Sequence, residues 1–398
     1  MSKHFAFVVV PGHGHVNPTV PLVEELVARG HRVTYLTAAE LLPAAVAAGA
    51  TPMERPWALP RPAQRGYPFA YSVKVLVARL RAAQEQAELV SPALVSRLGQ
   101  DPPDAVCYDS MDVLGPLLAA RLGVPMIALM PSWANNEHFD LHDLLVRGGL
   151  PDDSGLKEEL DELRLTQARF RSANGLPGAD TPALAYEPPS PLHLVFVPRE
   201  FQIAGDTFDH RFRFLGPSLG SRAADRGWRP PADGSPVLFV SLGTAFNDRA
   251  DFYAQCVEAF GGTRWHVVMA VGERVDLPPA PDNFDIATYF PQPAVLDGAT
   301  VFLSHTGMNS TLESLYYGVP LVSVPQMPEQ VVNGGRVAEL GLGRRLDPSA
   351  VTARSLRQTV EEVAADPGIR GNVTEFAARL RAVNGAVLGA DALEELLR

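Results

Sequence analysis

Short apolar runs alternate with amphipathic helical stretches along the chain, and the alternation stops once and then restarts. FAFVVV (residues 5–10) reads as a strand buried on both faces, and NPTVPLVEELVARG as a helix closed by Gly30. HRVTYLT is a second strand, followed by an Ala-rich helix over 39–48; DAVCYDS, VLGPLLAARLG and VPMIALM repeat the beat. GPSLGSRAADRGWRPPADGSP (216–236) is rich in Gly, Pro, Ser and charge and reads as a linker. Beyond it come VLFVSLGT, a helix from about Asp248 to Phe260, WHVVMAV, FDIATYF, TVFLSH, NSTLESLYYG and VPLVSVP. Such alternation favours parallel sheets with helices on both faces. At 398 residues the chain exceeds what one core usually serves. The expectation is an α/β protein of two doubly wound domains, over 1–215 and 237–383, with a cleft between their strand ends where such sheets bind ligands. The last residues, 384–398, read as a helix whose docking is open, the first domain being one place for it.

Charge and cysteine content exclude several functions. The formal net charge is −11, which argues against a nucleic-acid binder, because phosphate backbones need clustered positive charge. A small nucleotide is still admissible, since backbone N–H groups at one helix start can hold its phosphates. The two cysteines, Cys107 and Cys256, show no zinc spacing and suit a reducing cytoplasm. The apolar run Phe5–Val10 is too short for a signal-peptide core, and no apolar stretch is long enough to span a bilayer, so no membrane association is expected.

The turn after the first strand, GHGHVN, matches G-x-G-x-x-G at two glycines, but Asn17 fills the third place. The acidic residue wanted about 20 residues later has only Glu40 as a candidate, so a dinucleotide site is a weak reading. The turn instead presents His13 and His15 at the carboxyl end of a strand. A neutral histidine there can take a proton from a substrate hydroxyl when a carboxylate orients its other nitrogen, and Asp109 ends another strand of the same half. Capping of a backbone group is an equally good account of either histidine.

FLSHTGMNSTLESLYYGVPLVSVPQMPEQ (302–330) is the most specific segment. A strand ends at Ser304-His305, Gly307 permits a tight turn, and a helix begins near Asn309. The N–H groups of that helix start suit a diphosphate, and Glu313, one turn in, can accept from a ribose diol. An ordinary capped helix with Glu313 in solvent would carry the same pattern.

With YFPQPAVL ahead of it, this segment resembles the nucleotide-sugar signature of UDP-dependent glycosyltransferases of natural products, and PGHGHVNP and VAELGLG are closest to the bacterial macrolide and flavonoid group. The resemblance covers nearly the whole chain. It implies the GT-B fold, two Rossmann-like domains facing across a cleft, with acceptor on the N-terminal half and donor on the C-terminal half. It implies an enzyme whose base is His15 with partner Asp109, Asp112 being a substitute. On the donor side it implies His305 at the diphosphate, with Gly307, Asn309 and Ser310 beside it, and Glu313 at the ribose. Glu329 and Gln330 match residues that hold sugar hydroxyls, and Ser241 and Thr244 match the loop by the phosphates. Tyr289, followed by Phe290 and Gln292, stands where the family usually stacks a tryptophan on uracil, leaving uracil versus thymine open. Met308 replaces the tryptophan of the plant signature, as in bacterial relatives.

The implied reaction is inverting transfer of a hexose, glucose from UDP-glucose first among them, to a hydroxyl of a lipophilic macrolide or polyphenol. A dTDP-sugar is the other donor. The alternatives are a sugar-nucleotide epimerase of the same fold and a non-catalytic helper protein. Trp57, Phe69, Met111, Trp133 and Phe139 either line an acceptor pocket or are ordinary core. No metal and no permanently bound cofactor are expected: no D-x-D occurs, and His138 and His142 lack the glutamate of H-E-x-x-H. Oligomeric state is not readable from the sequence.

Overall fold

The computed structural model describes residues 1–56, 73–141, 144, 156–178, 190–244, 247–272, 275 and 280–398. It falls into two compact units, one built from the described residues up to Gly220 together with Asn384–Arg398, the other from Ser221–Val383. Among the described residues no helix is long and apolar enough to cross a membrane.

In the first unit the elements run β1 (His4–Val8), α1 (His13–Ala28), β2 (Arg32–Thr37), α2 (Leu42–Ala47), β3 (Thr51–Glu54), α3 (Val73–Leu98), β4 (Ala105–Asp109), α4 (Leu114–Leu122), β5 (Met126–Met130), α5 (Leu156–Ala173), β6 (His193–Val195) and β7 (Phe212–Phe214). The sheet order is β3-β2-β1-β4-β5-β6-β7, and every pairing is parallel. Side chains alternate across β1: Phe5 and Phe7 enter one core with Leu22 and Tyr35, while Ala6 and Val8 enter another with Tyr108 and Leu117. Burial on both faces is why FAFVVV carries no polar alternation. The chain winds outward from β1 to β3, then returns to the other side of β1 with β4. The order therefore reverses between β1 and β4, and in open parallel sheets such a reversal opens a crevice at the carboxyl ends of the two strands.

The helix Gly385–Leu396 completes this unit. A Cβ at Gly389 would lie 3.0 Å from Leu22 and 3.1 Å from Leu215, so the helix backbone lies directly on the core. Arg29 donates to Asp391 at 2.6 Å and to Glu394 at 3.3 Å, and His31 pairs with Glu394 at 3.0 Å.

The second unit contains β8 (Val237–Ser241), α6 (Ala250–Phe260), β9 (His266–Ala270), β10 (Phe284–Ala287), α7 (Gln292–Leu296), β11 (Val301–Ser304), α8 (Met308–Tyr317), β12 (Leu321–Ser323), α9 (Pro328–Glu339), β13 (Gly343–Arg345), α10 (Ala353–Ala365) and α11 (Pro367–Arg381). Its parallel sheet has the order β10-β9-β8-β11-β12-β13, and the reversal falls between β8 and β11. The segment read from composition as a linker is laid down on this unit over part of its length: Trp228 Nε1 donates to Asp285 Oδ2 at 3.2 Å.

Candidate active site

In the first unit the turn after β1 aims an imidazole at the end of β4. Gly12, with fully extended backbone, precedes α1, and its carbonyl accepts from the N–H groups of His15 and Val16 at 3.0 Å each. Within the first turn of the helix, His15 Nδ1 lies 2.7 Å from Asp109 Oδ2. The other carboxylate oxygen, Oδ1, accepts from the Met111 N–H at 2.9 Å, so the acid is held from two sides. Asp109 is buried, while the His15 side chain keeps 25% exposure. The tautomer that donates from Nδ1 to Asp109 places the lone pair on Nε2, the arrangement a general base needs. His13 is exposed.

Asp112, the other aspartate of this stretch, is held by different partners. Arg55, itself buried, donates to both of its carboxylate oxygens, and Asp112 Oδ1 also accepts from the Leu114 N–H at 2.9 Å at the start of α4. Trp133 and Phe139 are core: Trp133 stacks on Phe201 at 5.5 Å and lies 5.7 Å from Phe139, with both rings buried. Met111 is exposed, two residues after Asp109. Trp57, Phe69 and His142 lie outside the described residues.

In the second unit the loops after the adjacent strands β8 and β11 close on one imidazole. A Cβ at Gly243 would stand 2.7 Å from His305 Nε2, and one at Gly307 would stand 2.6 Å from the same atom. Glycine on both sides is what lets the ring fit. Burial pushes the His305 imidazole down to about 4, so it is neutral, and among the described residues its Nδ1 has no hydrogen-bond partner. Thr306, next along, has a φ of 59°, rare for a β-branched residue. Its surroundings hold it there: Thr306 Oγ1 lies 2.7 Å from Ser323 Oγ and 3.1 Å from the Gln330 carbonyl, and Asn333 Nδ2 donates to the Thr306 carbonyl at 2.8 Å. Strain maintained in this way marks a loop whose shape matters. Directly after it α8 begins, its first N–H groups without helical acceptors and carrying the positive end of the helix dipole.

The remaining donor-side candidates divide by surroundings. Glu313 is buried on α8 and accepts from Asn309 Nδ2 at 2.9 Å and from Gln292 Nε2 at 2.6 Å. Ser310 Oγ donates to Gln292 Oε1 at 3.3 Å, so four of the named residues form one network. Tyr289 is 68% exposed, Phe290 and Glu329 are half-buried, and Thr244 is exposed. Ser241 Oγ accepts from the Gly243 N–H at 3.2 Å, shaping the first loop. Gln330 works partly in the fold, since its Oε1 accepts from the N–H groups of Gln326 at 2.7 Å and Met327 at 3.1 Å.

Two arginines escaped the sequence reading. Arg222 Nη1 donates to Glu313 Oε1 at 2.7 Å, and Arg249 Nη1 donates to Gln326 Oε1 at 2.6 Å. Each sits in a polar, Gly- or Asp-bearing stretch where an arginine reads as solvated, and only the fold reveals its partner. Among the described residues no group of three or more metal-capable side chains comes together.

The histidine–aspartate pair stands at one sheet reversal, and the glycine-flanked histidine with its helix start stands at the other. Comparisons with known proteins identify the family. Residues 258–386 match the family model of the C-terminal domain of erythromycin biosynthesis protein CIII-like proteins. NDP-glycosyltransferase YjiC of Bacillus licheniformis is 38% identical over 403 residues, covering 99% of this chain and 98% of its own. Demethyllactenocin mycarosyltransferase of Streptomyces fradiae is 34% identical over 404 residues, covering 99% and 86%. The crystal structure of CalG4, the calicheamicin glycosyltransferase, superposes with a TM-score of 0.82 at 34% identity, covering 100% of this chain and 98% of that one. The chain therefore belongs to the bacterial NDP-glycosyltransferases of macrolide and natural-product type, with the GT-B fold.

Proposed function

We propose that the protein transfers a hexose, glucose from UDP-glucose, to a hydroxyl of a lipophilic natural product with inversion at the anomeric carbon. The carrying observation is the 2.7 Å contact between His15 Nδ1 and Asp109 Oδ2 at the reversal point of the first sheet. His15 Nε2 takes the proton of the acceptor hydroxyl, and Asp109 stabilises the imidazolium that forms. The acceptor oxygen attacks the anomeric carbon as its bond to the diphosphate breaks, turning an α-linked donor into a β-glycoside. The departing diphosphate gathers negative charge, which the start of α8 and the neutral His305 stabilise by hydrogen bonding.

Tyr289 gives the nucleobase an aromatic face, and Glu313 receives a ribose hydroxyl. Gln330 Nε2 and Glu329 take the sugar hydroxyls. Support for a bulky acceptor comes from relatives named for demethyllactenocin and calicheamicin. The test is mass spectrometry of the protein with UDP-glucose or dTDP-glucose and a panel of macrolides and phenols. Gain of one hexosyl unit on an acceptor, lost in His15→Ala, is the expected result. Epimerised sugar or free nucleotide without any acceptor would mark an epimerase instead.

A further inference from the structure

Glu313 is not an open acceptor. Its side chain is 2% exposed, and three donors already reach its carboxylate: Asn309 and Arg222 on Oε1 and Gln292 on Oε2. Asn309 and Gln292 are neutral amides from α8 and α7, the local walls of the site. Arg222 arrives from 91 residues away, on the short 3-10 turn Gly220–Ala224 where the chain enters the second unit. It is the only charged partner among the three, and its own side chain keeps 25% exposure. A buried carboxylate with amide partners alone carries an uncompensated charge, and an arginine supplies both the neutralising charge and a directional donor. Tyr289 belongs to the same neighbourhood. Its phenol is held above its ordinary value chiefly by partial burial, and it lies within electrostatic reach of Arg222, Asp225 and Glu313.

We infer that Arg222 is a positioning residue for the donor nucleotide: by pairing with Glu313 it fixes the carboxylate on which a ribose hydroxyl is received. This rests on the donor reading given above. A carboxylate has about four lone-pair sites. Three are in use, so the pair leaves one acceptor direction and makes recognition depend on a single ribose hydroxyl. The residue acts through Glu313 and needs no contact with the nucleotide. Its position on the connecting turn ties nucleotide recognition to the segment joining the two units.

The test is calorimetric binding of UDP and of 2′,3′-dideoxy-UDP to the full chain, as wild type, Arg222→Ala, Arg222→Lys, Glu313→Gln and the Arg222→Ala/Glu313→Gln double variant. Loss of one charge-assisted hydrogen bond predicts that Arg222→Ala binds UDP about 10-fold more weakly. The dideoxy nucleotide should lose about 2-fold at most, because it lacks the hydroxyl that Glu313 receives. Arg222→Lys should recover part of the loss, and the double variant should bind UDP no more weakly than Glu313→Gln alone. If Arg222→Ala does not fold, Arg222→Lys against the two nucleotides makes the same comparison. Unchanged or tighter UDP binding in the arginine variants would overturn the inference, the latter showing an arginine that ribose displaces. An equal loss on both nucleotides would overturn it too, as a general structural effect. Wild-type protein that does not bind UDP would bring down the UDP donor reading itself, a different failure from wild-type binding that Arg222 does not affect.

Discussion

Asp109 does two jobs with one carboxylate, and that makes it more demanding than a simple charge partner. Oδ2 accepts from His15 while Oδ1 accepts from the Met111 backbone. An asparagine has one acceptor oxygen, so in either amide orientation one of these two donors faces an NH2 group. Asp109→Asn is therefore expected to lower turnover by about 10²–10⁴-fold, comparable with His15→Ala, with UDP affinity little changed in both. Steady-state rates alongside UDP binding check this split. The buried histidines give a separate signal in stability. His305 and His193 are each pushed down to about 4, His305 by burial and His193 by burial with Arg211 nearby. In the unfolded chain a histidine titrates near 6.5, so between about 6.5 and about 4 the unfolded state binds more protons. Stability should be full above that window and fall as pH drops through it, by up to about 1.4 kcal/mol per pH unit for each histidine. Unfolding midpoints across that range should drop in wild type and drop less steeply in His305→Gln.

At the scale of elements, the proposed donor cradle is a loop built around one ring. Gly307 has ordinary extended backbone, with a φ of −60°, so alanine there adds no backbone strain. Its methyl group would nevertheless stand 2.6 Å from His305 Nε2. Gly307→Ala is expected to displace the imidazole and weaken UDP binding by about 10-fold or more, while β8 and β11 stay paired; calorimetry and circular dichroism measure the two halves of that statement. This cradle was legible in the sequence because its parts are contiguous: a buried strand, histidine, glycine and a helix start within a few residues. Asp109 was legible as the last residue of an apolar strand and His13 and His15 as the histidines of the turn after another, while the choice of His15 came from the family resemblance. Other elements were not. β6 and β7 are three residues each, too short for periodicity to register. The aromatics of the 131–139 loop suited a pocket and a core equally well in sequence. Only the burial of both rings, with Trp133 stacked on Phe201 far along the chain and Phe139 packed against Trp133, assigns them to the core. The Arg222–Glu313 pair spans 91 residues, and no local pattern announces a contact of that separation.

At the scale of the whole molecule, the first unit is discontinuous in sequence. It contains the described residues up to Gly220 and takes back Asn384–Arg398 after the second unit has been traversed. The returning helix buries Ala390 and Leu393 in the same core as Leu22 and Leu26. A chain ending at Val383 is expected to uncover that core and lose the Arg29 and His31 pairings to Asp391 and Glu394. The expected outcome is a lower unfolding midpoint for the first unit, with UDP binding retained by the second. Limited proteolysis with and without UDP reads out both, and a truncated chain as resistant as the full one would contradict the account. The same discontinuity sets an order of events during synthesis. The ribosome must deliver every residue of the second unit before it releases the segment that seals the first. The unit carrying the His15–Asp109 pair is thus begun first and finished last, and its half-built core has to wait, exposed, for its final helix.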